Sequence, residues 1–118
     1  MVPRVLVVQS RPEVASAVSA VLADAGFEAL VIADGHTVLG EVEARDPQVV
    51  LVDLALPVLD GWWVLAAVGS LGEPPLVVVR VTAARDVERA LALGADVCIE
   101  DDFEVVTAAG RLVPSIAA

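Results

Sequence analysis

Lysine is absent from this chain of 118 residues: all seven basic side chains are arginine, against 17 acidic ones, and the formal net charge is −10. Such an acidic chain is a poor ligand for nucleic acid, because affinity for phosphates comes mainly from Lys and Arg. The chain has one cysteine, Cys98, so it can form no internal disulfide, which fits a reducing compartment. We therefore expect a cytoplasmic protein that does not bind nucleic acid directly.

Long apolar runs are missing as well. The apolar stretches span about six to eight residues between charges, which is too short to cross a bilayer, and the first residues lack the apolar core and cleavage site of a signal peptide. Aromatic residues make up only 3% of the chain, whereas 58% of it is hydrophobic, the composition of a compact globular protein. The length predicts a single domain over residues 1–118. The short apolar runs predict that it does not associate with a membrane.

Short apolar runs alternate with segments of helical period along the whole chain. The runs predict strands at residues 4–8, 29–33, 47–53, 76–81 and 97–99. The periodic segments predict helices at about residues 12–25, 38–45, 60–69, 85–93 and 103–112. Strands that alternate with helices through short loops indicate an α/β fold, with a parallel sheet covered on both faces.

The third predicted strand ends in a carboxylate, Asp53, and is followed by a loop that contains Pro57 and closes with Asp60-Gly61. In open parallel sheets, ligand chemistry takes place at the carboxyl ends of the strands, which is where Asp53 lies. Two interpretations are open at this point. Either Asp53 belongs to a functional site, or it merely begins a loop and Asp60 caps the next helix.

This stretch resembles the phosphoacceptor segment of the response-regulator receiver family, D-x-x-[LM]-P-x-x-[DS]-G. The matching residues are Asp53, Leu56, Pro57, Asp60 and Gly61, and further likeness lies in Gly26-Phe27, in the approach from Pro47 to Asp53, and in Gly94-Ala95-Asp96. The resemblance covers the whole chain. It implies a flavodoxin-like (βα)5 fold with a doubly wound parallel sheet in the order 2-1-3-4-5, and a role in two-component phosphorelay signal transduction.

An active receiver uses two acidic residues after the first strand, together with the acceptor Asp, to hold Mg²⁺. In this sequence the two positions fall on Gln9 and Ser10, neither of which is charged. Asp53 is then the only carboxylate of the usual three, so we predict no metal site and no cofactor, with Mg²⁺ binding only if the site is functional. A cation site built from Asp53 and Asp101 is the alternative.

Receivers also end the fourth strand with Thr or Ser and the fifth with Lys. The Lys position falls on Asp101, which reverses the charge that should meet the phosphoryl group, a repulsion of roughly 4 kcal/mol at about 4 Å and an effective dielectric near 20. The Thr position falls on Arg80 when counted from Pro75, with Thr82 as the alternative. An Arg at the end of a central strand needs a partner. We predict that Arg80 pairs with Asp53.

Four other residues are singled out by type. His36 is predicted to be a surface loop residue, Cys98 a small core residue without an activating neighbour, and Trp62 a core or half-buried residue. Trp63 follows Trp62 on the same helix, so the two cannot both face the core. Trp63 therefore either half-covers the acceptor loop or is an exposed contact for a partner.

The resemblance and its departures predict a degenerate receiver, or pseudo-receiver, with phosphorylation lost or weak. It would act through a protein partner, either a histidine kinase or an output domain, or as a homodimer, using the surface at residues 85–93, 97–99 and 103–112. One alternative is a working receiver phosphorylated on Asp53; another is a flavin- or nucleotide-binding domain on the same fold. We expect no enzyme, since the first loop lacks a glycine-rich phosphate cradle and the residues named form no nucleophile–base pair.

Overall fold

Among the residues that the structure describes, five parallel strands form one sheet in the order 2-1-3-4-5, as the resemblance predicted. The computed structural model describes residues 2–54 and 60–112. The strands are β1 Arg4–Val8, β2 Glu28–Ile32, β3 Val49–Asp53, β4 Leu76–Arg80 and β5 Val97–Ile99. The bounds of β1 and β5 are those predicted. The fourth strand is one residue shorter than predicted, because Val81 continues the apolar pattern without continuing the strand.

Five helices in the described ranges connect and cover the strands. They are α1 Pro12–Asp24, α2 Val38–Arg45, α3 Gly61–Gly69, α4 Asp86–Ala92 and α5 Val105–Leu112. Two short 3-10 helices, Gly35–Thr37 and Asp102–Glu104, lead into α2 and α5. The bounds of α2 are those predicted, and the other predicted helix ends differ from the observed ones by no more than two residues. The largest difference is at the start of α5, where the sequence pattern did not separate the 3-10 turn Asp102–Glu104 from the helix.

Local signals set the helix starts. Pro12 is the first residue of α1, where its missing N–H costs nothing and its fixed φ suits a helix. Asp60 caps α3: its side chain accepts a hydrogen bond from the Trp63 N–H at 3.1 Å. The residues between Asp53 and Asp60 that complete the acceptor motif, Leu56 and Pro57, lie outside the described residues.

The core lies on both faces of the sheet. Leu6, Val8, Val50 and Val52 pack on the face covered by α2, α3 and α4. The residues between them in sequence pack on the other face, under α1 and α5, namely Val5, Val7, Val49 and Leu51. Every residue of β3 is buried, because this strand lies at the centre of the sheet. The sheet therefore carries Asp53 into a buried position at its carboxyl edge.

Within the described ranges, no helix has both the length and the apolar character needed to cross a bilayer.

Candidate functional site at the end of the central strand

The ends of β1, β3 and β4 lie side by side at the carboxyl edge of the sheet. In the strand register, Val8 is opposite Val52 and Asp53 is opposite Arg80. Gln9 directly follows β1, so it also reaches this edge. The sheet thus brings together three of the residues that the sequence marked: Gln9, Asp53 and Arg80.

The Asp53 carboxylate is buried against a guanidinium. Asp53 is 2% exposed, and Arg80 Nη1 donates to its Oδ1 at 3.1 Å and to its Oδ2 at 3.2 Å. The Arg80 side chain is 24% exposed, so part of it remains in contact with solvent while it pairs with the buried carboxylate. The predicted ion pair is present. Arg80, not Thr82, is the residue that ends β4 beside Asp53.

Gln9 completes the cluster through its amide. Its Nε2 donates to Asp53 Oδ2 at 3.3 Å, while its Oε1 accepts from the Arg11 N–H at 3.2 Å. The side chain is buried, with 3% exposure, and the Arg11 contact fixes the direction of the amide. Sequence reasoning marked Gln9 only for its missing charge. The sequence did contain a signal for this role: Gln9, a residue with a side-chain N–H donor, follows a strand whose neighbour in the predicted sheet ends in a carboxylate.

This set of donors does not fit Mg²⁺, which takes oxygen ligands and usually one or two carboxylates. Gln9 directs N–H toward Asp53, and Arg80 brings a positive charge to both carboxylate oxygens. Among the residues that the structure describes, no group of three or more His, Cys, Asp or Glu side chains is placed to hold a metal ion. The described residues of this site therefore do not fit a bound Mg²⁺.

The remaining receiver positions are occupied differently. Ser10 is half-buried beyond β1, and Thr82 is exposed two residues beyond β4. Asp101 is exposed and its Oδ1 accepts from the Phe103 N–H at 2.8 Å, while its own N–H donates to Glu104 Oε1 at 3.2 Å. This reciprocal pair is a capping arrangement for the turn that leads into α5. Asp101 thus stabilises the start of this turn.

Gly61 sets how closely α3 approaches the site. A Cβ at this position would lie 2.7 Å from the backbone oxygen of Asp53 and 2.9 Å from the Leu54 Cα, both of which are backbone atoms that cannot yield easily. Glycine is therefore required for α3 to begin directly against the end of β3.

The four other marked residues lie around this edge. Trp62 is partly buried, with the Arg89 guanidinium 4.2 Å from its ring centroid. Trp63 is 46% exposed, and its ring centroid is 6.0 Å from that of His36, which is an exposed residue of the first 3-10 helix. Cys98 is partly buried: it packs against the core on the face covered by α2, α3 and α4, and it also lines a cavity. Burial raises the pKa of its thiol.

A five-stranded parallel sheet in this order, with an aspartate at the carboxyl end of its central strand, defines a receiver-like α/β domain. The chain belongs to the response regulator receiver domain family, whose sequence model matches residues 5–109.

Individual relatives agree with this assignment. Transcriptional activator protein IrlR from Burkholderia pseudomallei is 32% identical over 112 residues, which cover 92% of this chain and 48% of that protein. DNA-binding response regulator MtrA from Mycolicibacterium smegmatis is 34% identical over 102 residues, covering 86% of this chain and 45% of that protein. The chain thus spans about half the length of the curated relatives it matches.

A solved structure supports the fold. The signal receiver domain of a putative Luxo repressor protein from Vibrio parahaemolyticus is similar with a TM-score of 0.84 at 19% identity, covering 99% of this chain and 94% of that one.

Proposed function

We propose that this chain is a degenerate receiver, which signals by protein–protein contact and does not depend on phosphorylation of Asp53. The observation that carries the proposal is the contact of Arg80 Nη1 with both oxygens of the Asp53 carboxylate, at 3.1 and 3.2 Å. In phosphoryl transfer the protein mainly positions the reactants and neutralises charge. Here the guanidinium already neutralises the carboxylate, which is the group that would have to attack phosphorus.

Charge at the rest of the site supports the same proposal. The chain has no Lys to meet the phosphoryl oxygens, and the position that the family gives to Lys is Asp101. Gln9 offers an amide where a metal-binding carboxylate would be needed. An incoming phosphodonor would therefore have to displace a buried ion pair without the help of a metal held by an acidic pair.

Partner contact is proposed for the surface of α4, β5 and α5, which receivers commonly use. Leu91 and Phe103, on or next to these elements, are 48% and 46% exposed, so this surface offers two large apolar side chains to a partner. Because the matched relatives are about twice as long, we propose a histidine kinase or an output domain as the partner, with a homodimer as the other arrangement. The acidic balance of the chain disfavours direct contact with nucleic acid.

A working receiver is the second candidate function. It is favoured by membership of the family and by Arg80 itself, since a guanidinium beside the acceptor could neutralise a phosphoryl group if it rotated away from the carboxylate.

Intact mass after incubation with acetyl phosphate and Mg²⁺ tests the two candidates. The wild type is compared with Asp53→Asn as the negative control and with a receiver that retains the acidic pair and the Lys as the positive control. We expect no adduct on the wild type under conditions that modify the positive control. A phosphoryl adduct that is absent from Asp53→Asn would refute the degenerate interpretation.

A gain-of-function variant sharpens the result. The combination Gln9→Asp, Ser10→Asp, Arg80→Thr and Asp101→Lys restores the groups that active receivers use. An adduct on this variant, with none on the wild type, would show that these four positions are what prevents the reaction.

A further inference from the structure

A cleft at the start of α3 contains residues that the site around Asp53 does not use. It has a volume of about 480 Å³ and lies between the turn after β2 and the first turn of α3. Two carboxylates, Asp34 and Asp60, and two rings, His36 and Trp63, are among the residues that line it. We call this set the acidic–aromatic cleft.

The indole of Trp63 is the largest exposed group in the cleft. Trp63 as a residue is 46% exposed, and the His36 ring meets the indole at an interplanar angle of 54°, so the imidazole does not stack flat on it. The faces of indole rings attract cations. Trp62, the neighbour of Trp63 on α3, shows this, because the guanidinium of Arg89 on α4 lies over its ring. Trp63 offers the same kind of face toward the outside.

The two carboxylates are held in place by capping hydrogen bonds. Asp34 Oδ1 accepts from the His36 N–H at 2.9 Å, and Asp60 Oδ1 accepts from the Trp63 N–H at 3.1 Å. Each bond uses one oxygen, and an ionised carboxylate can accept about four hydrogen bonds, so acceptor capacity remains on both. The partial charge of about +0.5 at the start of α3 offsets only part of the two negative charges.

We propose that the acidic–aromatic cleft is a docking site for an arginine side chain of a basic partner protein. A guanidinium can lie flat on an indole and donate to carboxylates in the same plane, which a lysine ammonium cannot do. The chain carries a net charge of −10, which favours a basic partner at this cleft over a second copy, a nucleic acid or an anionic lipid surface. The site concerns a different surface from the proposed function and stands whether or not Asp53 accepts a phosphoryl group.

The test is a titration of the ¹⁵N-labelled chain with the peptide acetyl-Gly-Arg-Gly-Arg-Gly-amide, followed by NMR at physiological salt. We expect saturable shifts at the Trp63 indole N–H and at the backbone N–H groups of residues 34–36 and 60–64, with a Kd on the order of 1 mM. The same peptide with citrulline in place of arginine keeps the shape and loses the charge. It should cause no saturable shift.

Matched variants separate the cleft from the general negative charge. Asp34→Asn with Asp60→Asn keeps both caps, because Asn is also a good capping residue, but removes two charges. Asp24→Asn with Glu43→Gln removes two charges from exposed positions on α1 and α2. We expect the first pair, and separately Trp63→Leu, to weaken binding at least threefold, and the second pair to change it less than 1.5-fold.

Several outcomes would overturn the proposal. Equal weakening by the two charge pairs would mean non-specific attraction, and equal binding of the citrulline peptide would mean that no guanidinium site exists. Shifts confined to other surfaces, or the absence of saturation, would also overturn it. Concentration-dependent dimerisation that Trp63→Leu abolishes, measured by analytical ultracentrifugation, would assign the cleft to a second copy and refute the basic partner.

An Asp53→Asn chain that binds the peptide normally would show that the cleft is independent of the acceptor.

Discussion

The Arg80–Asp53 ion pair should be the most strongly coupled charge pair that the structure describes. The Asp53 side chain is 3% exposed and that of Arg80 24% exposed, with Nη1 and Oδ1 separated by 3.1 Å. Two unit charges at about 4 Å and an effective dielectric near 20 attract each other by roughly 4 kcal/mol. Since water reaches Arg80, we expect a coupling free energy of about 1–3 kcal/mol.

A double-mutant cycle measures this coupling. Arg80→Met keeps most of the apolar side chain and removes the charge, so the buried carboxylate loses its guanidinium, at a cost of about 3 kcal/mol in the free energy of unfolding. Asp53→Asn keeps an acceptor for Arg80 and should cost about 1–2 kcal/mol. The double variant should then be no less stable than Arg80→Met alone. Urea unfolding, followed by tryptophan fluorescence and by circular dichroism, gives the four free energies.

The control cycle uses a surface pair in the same chain. Arg45 and Glu41 are one helical turn apart at 3.4 Å, with side chains 53% and 33% exposed. Arg45→Met and Glu41→Gln should couple by only about 0.3–0.5 kcal/mol. If the Arg80–Asp53 cycle gave a coupling no larger than this control, the guanidinium would not be holding the carboxylate. The main support for a degenerate site would then be lost.

Two further predictions concern packing and the thiol. Gly69→Ala should lower the free energy of unfolding by about 2 kcal/mol or more, because the added Cβ would overlap the Leu93 backbone oxygen. Gly40→Ala should raise the free energy of unfolding by about 0.5–1 kcal/mol, because its added Cβ would have no atom within 4 Å and alanine favours a helix more than glycine does. Equal effects in the same urea assay would contradict the close approach of α3 to the turn after α4. Burial raises the pKa of the Cys98 thiol, so the folded chain has less thiolate at a given pH than the unfolded chain. The pH–rate profile of iodoacetamide alkylation should therefore have its midpoint at higher pH in the folded chain than in urea. Coincident midpoints would contradict this.

The strands could be predicted closely where burial on both faces governs them. Runs of Val and Leu at β1, β3 and β4 have no polar alternation, which is typical of central strands in a parallel sheet. For the edge strand β2, the predicted range of residues 29–33 lies one residue later than the observed strand, Glu28–Ile32. An edge strand is partly exposed, so Glu28 can begin it without burying a charge. Strand order came from the family resemblance and not from periodicity.

The candidate site was predictable in composition and less so in geometry. Counting from Pro75 placed Arg80 at the strand end, but only the register of β3 and β4 decides between Arg80 and Thr82. The donor role of Gln9 depends on which way its amide points, and that is set by the backbone N–H of Arg11 in the following turn. Likewise, Trp63 meets His36 through a 3-10 turn that follows β2, whereas the sequence pattern predicted only a surface loop at His36.

The three residues at the sheet edge make sense only as a set. Arg80 without Asp53 would be a charge at the end of a central strand, and Asp53 without Arg80 would be a buried carboxylate facing an amide. An acidic residue at position 9, with no metal to bind, would place a second negative charge beside the first. Gln9 avoids this because it gives Asp53 a donor and no charge. Together the three form a cluster in which one positive charge balances one negative charge and the amide is satisfied at both ends, which is the arrangement expected of a site that is stable without a phosphoryl group.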